Sequence, residues 1–191
     1  MSKHICRCDQ KHGVNRRGAI LALSGAALGG TFLPASRAFA RAMQTAARPG
    51  DEGFMRMALA EAAKGDLPFG AIIVRNGIVV STGRNLGVTT NDPTAHGEMV
   101  AIRHFVALRP SAELQGATLY TSGEPCPMCM SAIVWCGLSR VVFAASIAEL
   151  ATKLGQIRLS SLSIAEAAPF VDIDITGGVL STEALALFQR N

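Results

Sequence analysis

The chain has 191 residues, 49% of them hydrophobic and 17% charged, which is enough for one ordinary domain and excludes a disordered or collagen-like chain. Lys and Arg outnumber Asp and Glu by 18 to 14, but six of the basic residues and one acid lie in the first forty positions. The remainder holds 12 basic and 13 acidic residues, a net charge of −1, so no basic face for a polyanion is expected there.

In chain order, residues 1–40 read as a leader. Arg16-Arg17 precedes a weakly apolar, glycine- and alanine-rich stretch from Ala19 to Leu33, and Ala38-Phe39-Ala40 fits a signal peptidase site. Paired arginines before mild hydrophobicity predict twin-arginine export, cleavage after Ala40 and a bacterial periplasmic or secreted location. The apolar stretch is too short and too rich in glycine for a convincing membrane span, although an uncleaved anchor stays open as the alternative. The expected organisation is a leader over 1–40 and a single domain over 41–191. Cys6 and Cys8 go with the leader.

Residues 51–64 form an alanine-rich helical pattern with Phe54, Met57, Ala58 and Glu61 at helical intervals, broken at Gly65 to Pro68. Ala71-Ile72-Ile73-Val74 and Ile78-Val79-Val80 flank Asn76-Gly77, a strong hairpin signal, and are read as the first two strands, antiparallel. The apolar run Met99, Val100, Ile102, Phe105, Val106 predicts a helix with His96 and Glu98 in its first turn, ending near Arg109-Pro110. Residues 117–121 read as a buried strand. Pro127 opens a second helix through Met130, Ile133 and Val134 to Gly137, with Trp135 and Cys136 placed in the core. A strand over 141–145, a short helix over 148–154, a polar stretch, a strand over 171–175 and a helix over 182–189 complete the reading. Strand and helix alternate after the hairpin, which implies a mixed sheet with helices on both faces.

Two segments carry chemistry. Pro93-Thr94-Ala95-His96-Gly97-Glu98 offers an imidazole and a carboxylate, and Glu124-Pro125-Cys126-Pro127-Met128-Cys129 offers two thiols. Zinc prefers nitrogen and sulfur donors in a tetrahedron, and three protein ligands leave one corner open for water, as catalytic sites require. His96, Cys126 and Cys129 are the expected ligands, and Glu98 is the expected general acid/base. Two helix N-termini at one site would stabilise the negative charge of such a centre. Alone, Cys126-x-x-Cys129 could be half of a structural zinc site or a redox pair, and His96 could be a satisfied polar residue. No second Cys-x-x-Cys exists, and neither alternative has a use for Glu98.

His-x-Glu followed by Pro-Cys-x-x-Cys is the mark of zinc enzymes that remove amino groups from nucleobases. With these residues the chain resembles the cytidine-deaminase-like superfamily, and within it the branch of guanine deaminases and tRNA adenosine deaminases. The likeness runs over most of residues 51–191 and includes Pro68-Phe69-Gly70-Ala71, the run from Val88 to His96, and Leu119-Tyr120-Thr121-Ser122. The resemblance implies a three-layer α/β/α sandwich around a five-stranded mixed sheet, a Zn2+ cofactor and a homodimer. It also implies Phe69, Asn85 and Ala95 as base contacts, with core packing of Phe69 and a turn role for Asn85 as the alternatives. Gly97 departs from the alanine usual in the guanine and tRNA enzymes and looks more like the fungal cytosine deaminases. The expected function is deamination of a free nucleobase, guanine first, with a cytosine or nucleoside deaminase, a nucleic-acid adenosine deaminase and a zinc-stabilised binding module as alternatives.

Overall fold

The computed structural model describes residues 41–189. The expected leader over 1–40, with its arginine pair and cleavage site, and the last two residues lie outside the described residues. The elements in order are β1 (Ala42–Gln44), α1 (Asp51–Ala62), β2 (Gly70–Arg75), β3 (Ile78–Arg84), α2 (Gly97–Leu108), a 3-10 turn (Ser111–Leu114), β4 (Thr118–Gly123), α3 (Pro127–Trp135), β5 (Arg140–Ala145), α4 (Ile147–Leu150), α5 (Ser161–Glu166), β6 (Ile173–Thr176), α6 (Ser181–Ala186) and a closing 3-10 turn (Leu187–Gln189).

One sheet runs in the order β1-β6-β5-β4-β2-β3. The β2–β3 and β2–β4 pairs are antiparallel, whereas β4–β5, β5–β6 and β1–β6 are parallel. The expected hairpin forms with Asn76 and Gly77 both at positive φ, as a two-residue turn matched to strand twist demands. Successive strand residues point to opposite faces, so Ile73, Leu119 and Val141 pack with Phe105, Met130 and Ile133 under α2 and α3. Ile72, Tyr120 and Val142 pack with Met55, Leu59 and Leu150 on the other side, under α1 and α4. Near-continuous apolar strands are the signature of a sheet covered on both faces, and the layering is α/β/α.

The sheet has six strands among the described residues, not five, and the hairpin is not its start. Ala42–Gln44 pairs in parallel with Ile173–Ile175 at the edge. Three residues are too few to show alternation, so this strand exists only through its partner: Thr45 N–H donates to the Ile175 carbonyl at 2.8 Å, and the Thr45 and Thr176 hydroxyls meet at 2.9 Å. The polar stretch hides α5, whose start is capped by Ser160 through the Ser163 N–H. The short helix near 148 begins one residue earlier, fixed by a capping box between Ser146 and Glu149. Trp135 is not core. It lies 64% exposed, stacked on Phe170 with ring centroids 5.3 Å apart, because the buried side of α3 is made by Cys129, Met130, Ile133 and Val134. Cys136 is half-buried against the core at the end of α3. No helix among the described residues is long and apolar enough to cross a membrane.

A buried ion pair ties α1 to the sheet. Asp51, 2% exposed, receives both terminal nitrogens of Arg140, 4% exposed, at 2.7 Å each. The Tyr120 hydroxyl and the Arg48 N–H also donate to it, and Arg140 donates to Thr176 at 3.0 Å. Burial alone would push the Asp51 pKa up, but the Arg140, Arg48 and Tyr120 hydrogen bonds outweigh it and hold the carboxyl below the usual range. Burial and the neighbouring carboxylate push Tyr120 up to about 12. Because the folded pKa of Asp51 is depressed, its stabilisation is present above the unfolded carboxylate value and is lost as pH falls through the folded one. Arg140→Leu strands a buried carboxylate and is expected to cost about 3–5 kcal/mol in urea denaturation, with a smaller loss in the Asp51→Asn, Arg140→Leu double variant. An unchanged midpoint in the single variant would refute this account.

Candidate active site

Two loops deliver the chemistry, and each ends in a helix. The loop after β3 is built by side chains that bond nearby backbone: Asn85 Oδ1 accepts the Gly87 N–H at 3.2 Å, and Asp92 accepts the Thr94 N–H at 2.8 Å. Asp66 takes the N–H groups of Val88 and Thr89 from across the loop. The result is a fixed entry to α2, in which His96 is the N-cap with extended backbone and Glu98 lies in the first turn. His96 therefore sits one position before the turn expected for it. The second loop leaves β4 and reaches α3, where Cys126 is the N-cap, Pro127 the first helical residue and Cys129 the third. Neither side chain makes the usual N-cap hydrogen bond. Both turn to each other instead.

The His96 Nδ1 atom lies 3.6 Å from the Sγ of Cys126 and 3.6 Å from that of Cys129, and the three donor atoms all fall within 4.8 Å of one another. A tetrahedral ion with bonds of about 2.3 Å to sulfur and about 2.0–2.1 Å to nitrogen separates the two donor types by about 3.6 Å, so the triangle fits zinc without rearrangement. Cys129 is buried, and His96 and Cys126 are half-buried and open toward a cavity. Hydrogen bonding from Cys129, then from His96, against the opposing effect of burial, brings the Cys126 thiol down to about 4. Its partner Cys129 is pushed up by the shared proton and by burial. The hydrogen bond to Cys126 raises His96 above its ordinary value against burial. A divalent ion binding these donors would displace protons from the thiols.

Glu98 is 5% exposed, and burial drives its pKa up, with the Cys126 charge adding to the effect. Its Oε1 accepts the Thr121 hydroxyl at 3.3 Å. The cavity in front of it holds about 210 Å³. It is lined by His96, Glu98 and Cys126, by Leu67, Phe69 and Asn85, and by Glu124 and a wall loop, Leu154–Ile157. Asn85 is 4% exposed, serving the turn and the cavity together. Phe69 likewise does both: one part of its ring faces the cavity while Phe188 packs edge-on against it at 5.2 Å. Ala95 is buried outside the cavity lining. Its N–H goes to the Asp92 carbonyl and its carbonyl to the Leu86 N–H, both at 2.9 Å, so it shapes the loop that presents His96.

Gly97 explains itself here. A Cβ on it would stand 3.0 Å from Gly70 Cα and from the Phe69 carbonyl, so glycine lets α2 start tight against β2. Sequence reasoning did not assign Glu124 or the Leu154–Ile157 wall. Glu124 could have been found by its place beside Pro125-Cys126, whereas the wall loop carries no sequence signal.

Residues 49–145 match the cytidine and deoxycytidylate deaminase zinc-binding region. The chain belongs to this deaminase family. It is similar to the guanine deaminase of Bacillus subtilis, 45% identical over 84 residues that make up 44% of this chain and 54% of that protein. It is also similar to the tRNA-specific adenosine deaminase of Aquifex aeolicus, 41% identical over 100 residues, 50% of this chain and 66% of that one. The match thus spans about half to two thirds of these curated relatives. The solved guanine deaminase from Nitrosomonas europaea superposes with a TM-score of 0.63 at 26% identity, covering 90% of this chain and 97% of that structure. The family and the donor set agree on Zn2+ as the cofactor of the deaminase.

Cys126→Ser is expected to abolish stoichiometric zinc, read by mass spectrometry of metal content, and to lower thermal stability, because metal binding energy is also folding energy. In the unaltered protein, zinc affinity should fall as pH falls, since protons compete for the thiolates and for the raised imidazole. Retention of one zinc per chain in the variant would remove Cys126 from the ligand set.

Proposed function

We propose that this deaminase acts hydrolytically on a free nucleobase, guanine first. The observation that carries the reading is the small cavity, in which a buried carboxamide (Asn85) and an aromatic wall (Phe69) face a buried carboxylate (Glu98) beside the S2N triangle. A carboxamide offers both a donor and an acceptor to a base edge, and an aromatic face suits a flat ring. The similarity to proteins named guanine deaminase supports guanine.

His96, Cys126 and Cys129 would hold the zinc, which when bound would supply a water acidic enough to ionise near neutral pH. Glu98 does the proton work. Its carboxylate takes the proton of the attacking water and gives it to a ring nitrogen of the base, which makes the carbon bearing the amino group electrophilic. It then carries a proton to the departing nitrogen. One water is consumed, the C–N bond breaks, ammonia leaves and a carbonyl stays on the ring. Burial, which raises the Glu98 pKa, suits a group that must both take and give a proton. Thr121 orients the carboxylate by its hydroxyl.

A second reading, adenosine deamination in tRNA, is favoured by the similarity to the Aquifex aeolicus enzyme. The net charge of −1 over residues 41–191 weighs against it, since backbone contacts to RNA need cationic surface. Incubation with guanine, cytosine, adenine, their nucleosides and a tRNA decides between them by ammonia release: guanine is expected to be the best substrate, and turnover of tRNA alone would overturn the proposal. Glu98→Ala is expected to keep its zinc and lose kcat by a factor of at least about 10²–10⁴.

The same proposal extends to the context of the enzyme. It is a homodimer by family habit, and residues 1–40 export it by the twin-arginine route to the periplasm or beyond, with cleavage after Ala40. N-terminal sequencing of the protein from fractionated cells is expected to begin at Arg41 outside the cytoplasm, and an uncleaved cytoplasmic chain would overturn the export proposal.

A further inference from the structure

Glu124 precedes Cys126 by two residues and lines the same cavity, yet both of its carboxylate oxygens are bonded to two other helices. Its Oε2 accepts the Ile147 N–H at 2.8 Å and its Oε1 accepts the Ser161 N–H at 2.8 Å. Ile147 and Ser161 are the first residues of α4 and α5. Each helix already has a serine N-cap, Ser146 and Ser160, but those hydroxyls are taken by the third-position N–H groups of Glu149 and Ser163. The first-position N–H of each helix is what a serine cap leaves unmet. One carboxylate satisfies both, and Ser161 Oγ adds a bond to the Pro125 carbonyl at 3.3 Å.

The geometry closes a loop. Between the two points gripped by Glu124 the chain runs out from α4 and back to α5, and the middle of that excursion, Leu154–Ile157, lines the base cavity. Its α4 end is also held by buried Leu150 and by the Ser181 hydroxyl donating to Glu149 at 2.7 Å, whereas the hydrogen bonds of the stretch beyond α4 are local among the described residues, such as Leu159 N–H to the Ile157 carbonyl, so the position of the wall is set largely by the ends of the excursion. We propose that Glu124 is a positioning residue that fixes the Leu154–Ile157 wall relative to the cysteine loop, so that grip on the substrate, and neither metal retention nor the chemical step, depends on it. Two charge-assisted hydrogen bonds hold the excursion closed, and releasing one end enlarges the conformational space of the wall. The substrate half of this inference rests on the base-deaminase reading above, while the wall half does not.

Glu124→Gln is isosteric but presents an amide N–H₂ to one of the two helix N–H groups, so one end is released. Lys153 and Arg158 lie in the excursion and provide tryptic sites that report its opening without any substrate. The zinc-loaded variant is expected to be cut there about tenfold faster or more than the unaltered enzyme, to keep one zinc per chain, and to show KM raised about tenfold with kcat within about twofold. Ser161→Pro is the independent second variant. It deletes one of the two N–H donors at a first helical position, after a residue already at φ −68° and ψ 154°, where proline is well tolerated. It should shift tryptic rate and KM in the same direction. Zinc lost together with kcat at unchanged KM, or a tryptic rate in both variants equal to that of the parent, would overturn the proposal. If no base is turned over by the parent enzyme, the function reading fails while the tryptic and zinc readouts still judge the role of Glu124.

Discussion

The meeting of two helix N-caps is the constraint from which the rest of this molecule follows. His96 and Cys126 occupy the same position in their helices, each with extended backbone and a side chain released from capping, and Cys129 stands three residues behind. For one ion to reach all three donors, α2 and α3 must start at the same edge of the sheet within a few ångströms. The sheet imposes that. Gly83 has no room for a side chain because the backbone of Gly97 and Ala101 lies against it, and the Ser81 hydroxyl bonds the Ala101 carbonyl at 2.7 Å. The α2 helix is thereby fixed to β3 and β2 while β4, paired to β2, delivers Cys126. Substitutions that move α2 on its strands therefore act on the zinc triangle even though they touch none of its atoms.

The two deeply buried carboxylates among the described residues are treated in opposite ways. Asp51 is surrounded by donors, receives a bidentate guanidinium and is held ionised. That arrangement stabilises only when complete, since removal of either partner leaves a charge in a poor solvent. Glu98 receives the Thr121 hydroxyl, its own backbone N–H and the Cys129 thiol but no guanidinium, so burial dominates and its proton affinity rises. A fully paired Glu98 would be a stronger structural element and a weaker proton carrier. The two carboxyl groups differ in that one has a bidentate guanidinium partner and the other has none.

Glu124 extends the same economy to the rim of the site. Helices of four and six residues have little stability of their own, and their first N–H groups are taken by the Glu124 carboxylate. By taking both, a residue of the cysteine loop ties the starts of α4 and α5 to the loop that carries Cys126.

Much of this was legible in the chain. The Asn76-Gly77 turn, the apolar strands on either side, the proline that opens α3 and the His-x-Glu and Pro-Cys-x-x-Cys spacings are local signals. Local backbone preference and donor chemistry act through residues close in sequence, so they dictated the hairpin, the two ligand-bearing helices and the zinc chemistry. Edge strand β1 was not legible, because three residues become a strand only when Ile173–Ile175 supplies hydrogen bonds. Trp135 on the outer side of α3, Ala95 outside the cavity, the Asp51–Arg140 pair across 89 positions and the wall at Leu154–Ile157 were equally hidden. Those features depend on which surfaces meet after the sheet is ordered, and that order is set by the packing of both faces at once and by no single segment. The sequence by itself determined the reaction type; only the tertiary structure decided the shape of the space in which a substrate must fit.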